Sequence, residues 1–174
     1  VMLQTVSRCN ASCAFCPYPA LADSLEHGVM EEQLFRRLVD ECSEHPGQVE
    51  RLLLYLMNEP LLDPRIVERI NYARERCPDA GIHILTNGSL LTERRGDALI
   101  DSGLDWIGIS VHGYSPEAYH EAMGLKRDVT YRRVDRFLER AIARRGPEWV
   151  MVTFNGGGPV TPAEEGIEDP RRQE

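Results

Sequence analysis

Three cysteines of this chain fall close together, as Cys9, Cys13 and Cys16 in the run Arg8-Cys9-Asn10-Ala11-Ser12-Cys13-Ala14-Phe15-Cys16-Pro17. Their spacing is C-x3-C-x2-C, directly after an apolar run, residues 2–6, that reads as a strand. The cysteines therefore belong to the loop leaving that strand's carboxyl end. Three thiolates on one loop match three irons of a [4Fe–4S] cube and leave the fourth iron without a protein ligand. A simple electron carrier supplies four cysteines, whereas an open iron suits a cluster that binds something else. Other readings stand beside this one. Half of a structural zinc site would need His27 or Cys42 to complete it. A disulfide framework sits badly with an odd cysteine count and no other sign of secretion.

The remaining pattern alternates strands and helices. Apolar runs at 52–56, 82–85, 106–111 and 149–154 read as strands, and the first of these is apolar enough to be covered on both faces. Helices are expected over 30–44 with Leu34, Leu38 and Cys42 inward, and over 64–76 with Ile66, Ile70, Ala73 and Cys77 inward. Another should start at the N-cap Thr92 and stop at Gly103, one should open on Ser115-Pro116-Glu117, and one should span 131–144. Val134, Phe137, Leu138, Ala141 and Ile142 should face inward on the last. Residues 19–28 read as a linker. Five strands separated by helices imply parallel βαβ units in an α/β domain. A doubly wound sheet would carry a glycine-rich phosphate loop after a strand, and none is present.

The loop resembles the cluster loop of the radical S-adenosylmethionine (SAM) enzymes, whose C-x3-C-x-Φ-C pattern includes an aromatic where Phe15 stands. That resemblance implies a partial (β/α)6 TIM-type barrel with about five βα units present. It implies a [4Fe–4S] cluster on Cys9, Cys13 and Cys16, with SAM on the open iron. One electron would cleave SAM to a 5′-deoxyadenosyl radical that abstracts hydrogen from a substrate. Met57-Asn58-Glu59-Pro60 resembles the family's Gly-Gly-Glu-Pro segment, so Asn58, Glu59 and Pro60 are expected at the amino group of SAM, although Met57 and Asn58 replace the glycines. Thr86-Asn87-Gly88 matches a family segment at the site's mouth. Ser110-Val111-His112-Gly113 resembles Ser-x-Asp-Gly, with Ser110 facing SAM and His112 standing where an acid is usual. Asn155 would lie near the ribose. The segments around Glu59 and Ser110 look most like the branch that modifies peptides or proteins and carries auxiliary clusters (the SPASM type). Expected partners are an electron donor such as flavodoxin or ferredoxin and a peptide or small-molecule substrate. A non-catalytic iron–sulfur carrier and a zinc-stabilised module are the alternatives.

The net charge of −8 offers no basic stripe for nucleic acid. No apolar run is long enough to span a bilayer, no signal peptide is visible, and reduced thiols point to the cytoplasm. The chain opens on Val1 without an initiator methionine, which reads as a trimmed terminus. Residues 1–154 read as the core domain. Residues 155–174 hold three consecutive glycines, three prolines and no apolar period, and read as a disordered or aberrant end to a truncated barrel.

Overall fold

Strands β1 (Arg51–Leu53), β2 (Gly81–Thr86), β3 (Trp106–Ser110) and β4 (Val150–Thr153) lie side by side in that order, every pair parallel. The computed structural model describes residues 1–154, and the expectations for Asn155 and for the end of the chain lie outside the described residues. A doubly wound sheet reverses its strand order at a switch point. This one never reverses, which is the order of a barrel wall.

The amino-terminal run occupies the place beside β1 but is not a regular strand. Met2 bridges Leu53 in parallel, Leu3 N–H donates to the Leu53 carbonyl (2.8 Å), and Leu53 N–H donates to that of Val1 (2.9 Å). The chain then turns to pair Val6 with Val29 in antiparallel fashion, while Met30 N–H donates to the Thr5 carbonyl at 2.8 Å. The expected first strand is reduced to a bridge because its backbone groups are divided between two partners.

Helices α1 (Tyr18–Leu21), α2 (Glu32–Ser43), α3 (Ile66–Arg76), α4 (Glu93–Ile100), α5 (Pro116–Met123) and α6 (Arg127–Arg145) fill the connections. The expected linker after the cysteines is therefore α1 and a 3-10 turn, Ala22–Ser24. Both predicted N-caps are made: Thr92 accepts from Arg95 N–H, and Ser115 accepts from Ala118 N–H. Helix α4 ends at Ile100, short of Gly103.

One helix presents a different stripe from the expected one, and another departs from it at a single residue. In α2 the fully buried residues are Phe35 and Val39, whereas Leu34 is 37% exposed. Leu38 and Cys42 only flank the core. The rows 34-38-42 and 35-39 are neighbours on a helix, and what covers them decides which turns inward. Here the Arg69 guanidinium lies over the Phe35 ring, 4.7 Å from its centroid. In α6 Val134, Phe137 and Ala141 are buried as expected, but Ile142 is 46% exposed. In α3 the expected face is buried and carries an unexpected charge: Arg69 is 0% exposed, ion-paired to Asp63 at 3.0 Å.

Leu52, Leu54, Ile82, Ile84, Ile107 and Ile109 are buried with Ile70, Ala73, Leu99, Phe137 and Ala141 in one core. The residues between them on β1 and β2 are only half-buried or exposed. The strand at 52–56 is thus not covered on both faces among the described residues. It ends at Leu53, and Leu56 is 55% exposed. The open face is the inner side of the barrel wall, and the site lies at its carboxyl end.

Candidate functional site

The cysteine loop leaves the β1 side and crosses to the far end of α5. Ser12 N–H donates to the Met123 carbonyl (3.0 Å) and Ala14 N–H to that of Ala122 (3.1 Å). These carbonyls at a helix end lack intrahelical donors, so the loop supplies them. The approach is close because α5 closes on Gly124 at φ +67°, where an added Cβ would fall 1.9 Å from Ser12 Oγ. On the other side Glu59 N–H donates to the Arg8 carbonyl at 2.8 Å. The loop is pinned at both ends.

Between these anchors lies a cavity of about 150 Å³. It is lined by Cys9, Cys13 and Cys16, by Phe15, and by Asn58, Glu59, Asn87, Ser110 and His112. Residues distant in sequence are thus gathered from the loop and from the ends of β1, β2 and β3, where parallel barrels place their chemistry. Pro60 is not in the wall. It is buried and opens the 3-10 turn Pro60–Leu62, for which Glu59 is the N-cap. Cys42 lines a different cavity and His27 Nδ1 lies 3.2 Å from the Ser7 carbonyl, so neither is in the wall that holds the three thiols. Among the described residues no three His, Cys, Asp or Glu side chains are closed to metal-holding geometry.

The three cysteines are free and partly exposed. Ala11 N–H donates to Cys9 Sγ and Tyr18 N–H to Cys16 Sγ, each at 3.4 Å. Burial pushes the Cys9 thiol up, with Glu59 and Cys16 adding to the effect while the Ala11 and Asn87 hydrogen bonds oppose it. Burial pushes Cys13 up to about 11, reinforced by repulsion from Cys9 and Cys16. The sulfurs feel one another, which as thiolates is unfavourable unless a cation sits between them. Backbone donors on two of the sulfurs, and three thiols of one loop lining one cavity, fit an iron–sulfur cluster.

Glu59 is 1% exposed and fully engaged. Its Oε1 accepts from Leu61 N–H (3.0 Å) and the Thr86 hydroxyl (2.6 Å), and its Oε2 accepts from Asn87 N–H (2.8 Å). Burial raises its pKa, and these three hydrogen bonds work against that. Asn58 turns its Oδ1 back to accept from Leu56 N–H (2.8 Å), leaving its buried Nδ2 without a protein partner. A donor of that kind in a cavity wall suits a polar ligand. Phe15, half exposed, meets the His112 ring edge-on at 4.8 Å between centroids. Burial pushes the His112 imidazole below its ordinary range, towards the neutral form. Ser110 Oγ accepts from the Thr153 hydroxyl at 3.3 Å.

A family model described as the radical SAM superfamily matches residues 3–169. The chain belongs to the radical SAM superfamily. Members of this family bind a [4Fe–4S] cluster and SAM. A SAM-dependent 2-deoxy-scyllo-inosamine dehydrogenase of Niallia circulans is 28% identical over 64% of this chain and 44% of its own length. A PqqA peptide cyclase of Ruegeria pomeroyi is 31% identical over 72% of this chain and 32% of its own. In fold, the crystal structure of BtrN in complex with AdoMet and 2-DOIA is similar at a TM-score of 0.65 and 24% identity, over 88% of this chain and 55% of that one. This radical SAM chain spans less than half the length of these curated relatives.

Tyr18, Tyr55 and Met123 also line the cavity without having been expected there. Tyr55 could have been found as a residue just past the carboxyl end of β1, next to the buried Leu54. Met123 has no signal in the sequence, since only the docking of the loop on α5 brings it in. No helix among the described residues is long and apolar enough to cross a membrane.

Proposed function

We propose that residues 1–154 form the cofactor-binding core of a radical SAM enzyme, with Cys9, Cys13 and Cys16 as the ligands of a [4Fe–4S] cluster. The observation that carries this reading is the convergence of those three sulfurs with Phe15, Asn58, Ser110 and His112 on one cavity. When bound, the cluster and SAM supply a 5′-deoxyadenosyl radical after one-electron reduction, and the radical removes hydrogen from a carbon of the substrate.

The protein's part is binding and orientation. The Ala11 and Tyr18 N–H groups hold the Cys9 and Cys16 sulfurs in the loop. Segment 57–59 receives the methionine end of SAM, with Asn58 Nδ2 as its free donor and Glu59 as the buried strut beneath it. Phe15 offers an apolar ring to the base, and Ser110 a hydroxyl to the polar part of the cofactor. A neutral His112 takes or gives a hydrogen bond without placing a positive charge beside a sulfonium. The electron comes from a small redox protein of the flavodoxin or ferredoxin kind. Similarity to a peptide cyclase favours a peptide substrate, and similarity to the inosamine dehydrogenase supports a small polar one.

Anaerobic reconstitution with iron and sulfide tests the reading. Cys9→Ala, Cys13→Ala and Cys16→Ala should each abolish the brown cluster, whereas Cys42→Ala and Cys77→Ala should keep it. The EPR signal of the reduced cluster should change on titration with SAM. An unchanged signal at millimolar SAM would replace the enzyme by an electron carrier, and stoichiometric zinc without iron uptake would replace both.

A further inference from the structure

The turn after β2 and the cysteine loop are joined by a closed ring of side-chain hydrogen bonds. Asn10 Nδ2–H donates to Ser89 Oγ (2.9 Å), Ser89 Oγ–H donates to Asn87 Oδ1 (2.6 Å), and Asn87 Nδ2–H donates to Asn10 Oδ1 (2.9 Å). All three donors point the same way round, so no member opposes another. Asn87 Nδ2 also stands 4.0 Å from Cys9 Sγ, at the outer limit of a hydrogen bond to sulfur. The ring is itself held from outside. Ser89 N–H also donates to Asn87 Oδ1 (2.9 Å), Asn87 N–H donates to the buried carboxylate of Glu59 (2.8 Å), and Arg133 of α6 donates to the Ser89 carbonyl. Asn87 and Ser89 are both buried.

Local turn chemistry explains only part of this. An Asn-Gly turn requires Gly88 at φ +73° and an Asn side chain bonding its own backbone two residues on. It does not require Asn87 to reach across 77 residues to Asn10, or Ser89 to reach across 79. Those bonds act on the residue next to Cys9, the loop's first cysteine.

We propose that Asn10, Asn87 and Ser89 are positioning residues which, through this ring, fix the Cys9 sulfur for its iron and bias the reduction of the bound cluster. The inference rests on the three-cysteine reading above. A closed ring with every donor running the same way is cooperative, because each bond polarises the next and a gap weakens those that remain. The Asn87 amide donor near the sulfur favours the more negative, reduced cluster, so its loss should lower the potential.

The test uses the full chain, reconstituted anaerobically, as wild type, Asn10→Ala, Ser89→Ala, the double variant, and Ser89→Thr, which keeps the hydroxyl. Iron loss to a chelator should be roughly 5- to 30-fold faster in each single alanine variant, the effect of losing about 1–2 kcal/mol of fixing interaction. The double variant should be no worse than the singles, and Ser89→Thr should behave as wild type. The midpoint potential should shift to more negative values in a further variant, Asn87→Ala, which removes the donor beside the sulfur. Lower thermal stability with unchanged potential and chelation rate would make the ring a purely structural brace and overturn the inference. Additive losses in the double variant would overturn the ring as a unit. Wild-type protein that takes up no cluster would instead overturn the reading on which the inference rests.

Discussion

Removing the Glu59 carboxylate would strand two buried backbone donors, Leu61 N–H and Asn87 N–H, together with the Thr86 hydroxyl. Each buried group left without a partner costs about 1–3 kcal/mol, offset in part by release of a carboxylate that is itself costly to bury. Glu59→Ala should therefore lose about 2–4 kcal/mol of stability, measured by denaturant unfolding of the cluster-free protein. Read from the sequence, this change should weaken SAM and spare the cluster, since Glu59 and the cysteines stand on different strand ends. The hydrogen bond from Asn87 to Glu59, and those from Asn87 to Asn10 and Cys9, connect those ends. Faster cluster loss should accompany the destabilisation. Unchanged stability together with a SAM-only defect would show that the strut is not needed.

At the scale of elements, the passage from β3 to α5 bears the tightest backbone constraint near the site. Gly113 has φ +93°, and a Cβ there would lie 2.4 Å from Tyr119 N and 2.6 Å from Ala118 C, both backbone atoms of α5. Its carbonyl accepts from the Tyr131 hydroxyl of α6 at 3.1 Å. Backbone cannot yield as a side-chain tip can, so Gly113→Ala combines a left-handed φ with a clash. A loss of about 2–4 kcal/mol in denaturant unfolding is expected, with His112, the preceding residue, displaced from the Phe15 ring. A loss below about 1 kcal/mol would mean that α5 moves freely against β3. The caps at Thr92 and Ser115 were legible because capping is a local event between a side chain and the next turn. The inward stripe of α2 was not, because a helix face is chosen by what packs on it, here a buried arginine from α3, whereas the stripe of α6 departs only at Ile142.

For the whole molecule, acid should act through histidines that resist protonation in the fold. His83 on β2 has its pKa pushed below 6.5 by burial and by Arg51, with Asp105 opposing, and its ring lies 5.4 Å from that of Trp106. The unfolded chain then takes the proton first, so stability is complete above pH 6.5 and declines as the pH falls through the lower folded value. His83→Gln should flatten that part of a stability–pH profile, and equal slopes in variant and wild type would refute the assignment. The sequence by itself determined the α/β class, most strand positions, the three cysteines and the family segments around Glu59, Asn87 and Ser110. These rest on period, capping and spacing, which act over a few residues. Only the tertiary structure decided that the first apolar run is a bridge and that the inner face of β1 stays open. It also decided that Glu59 is occupied by Thr86 and Asn87, and that Asn10 meets Ser89. Each of these depends on which backbone groups are left unpaired when distant segments meet, and a buried polar group takes whichever partner the fold delivers.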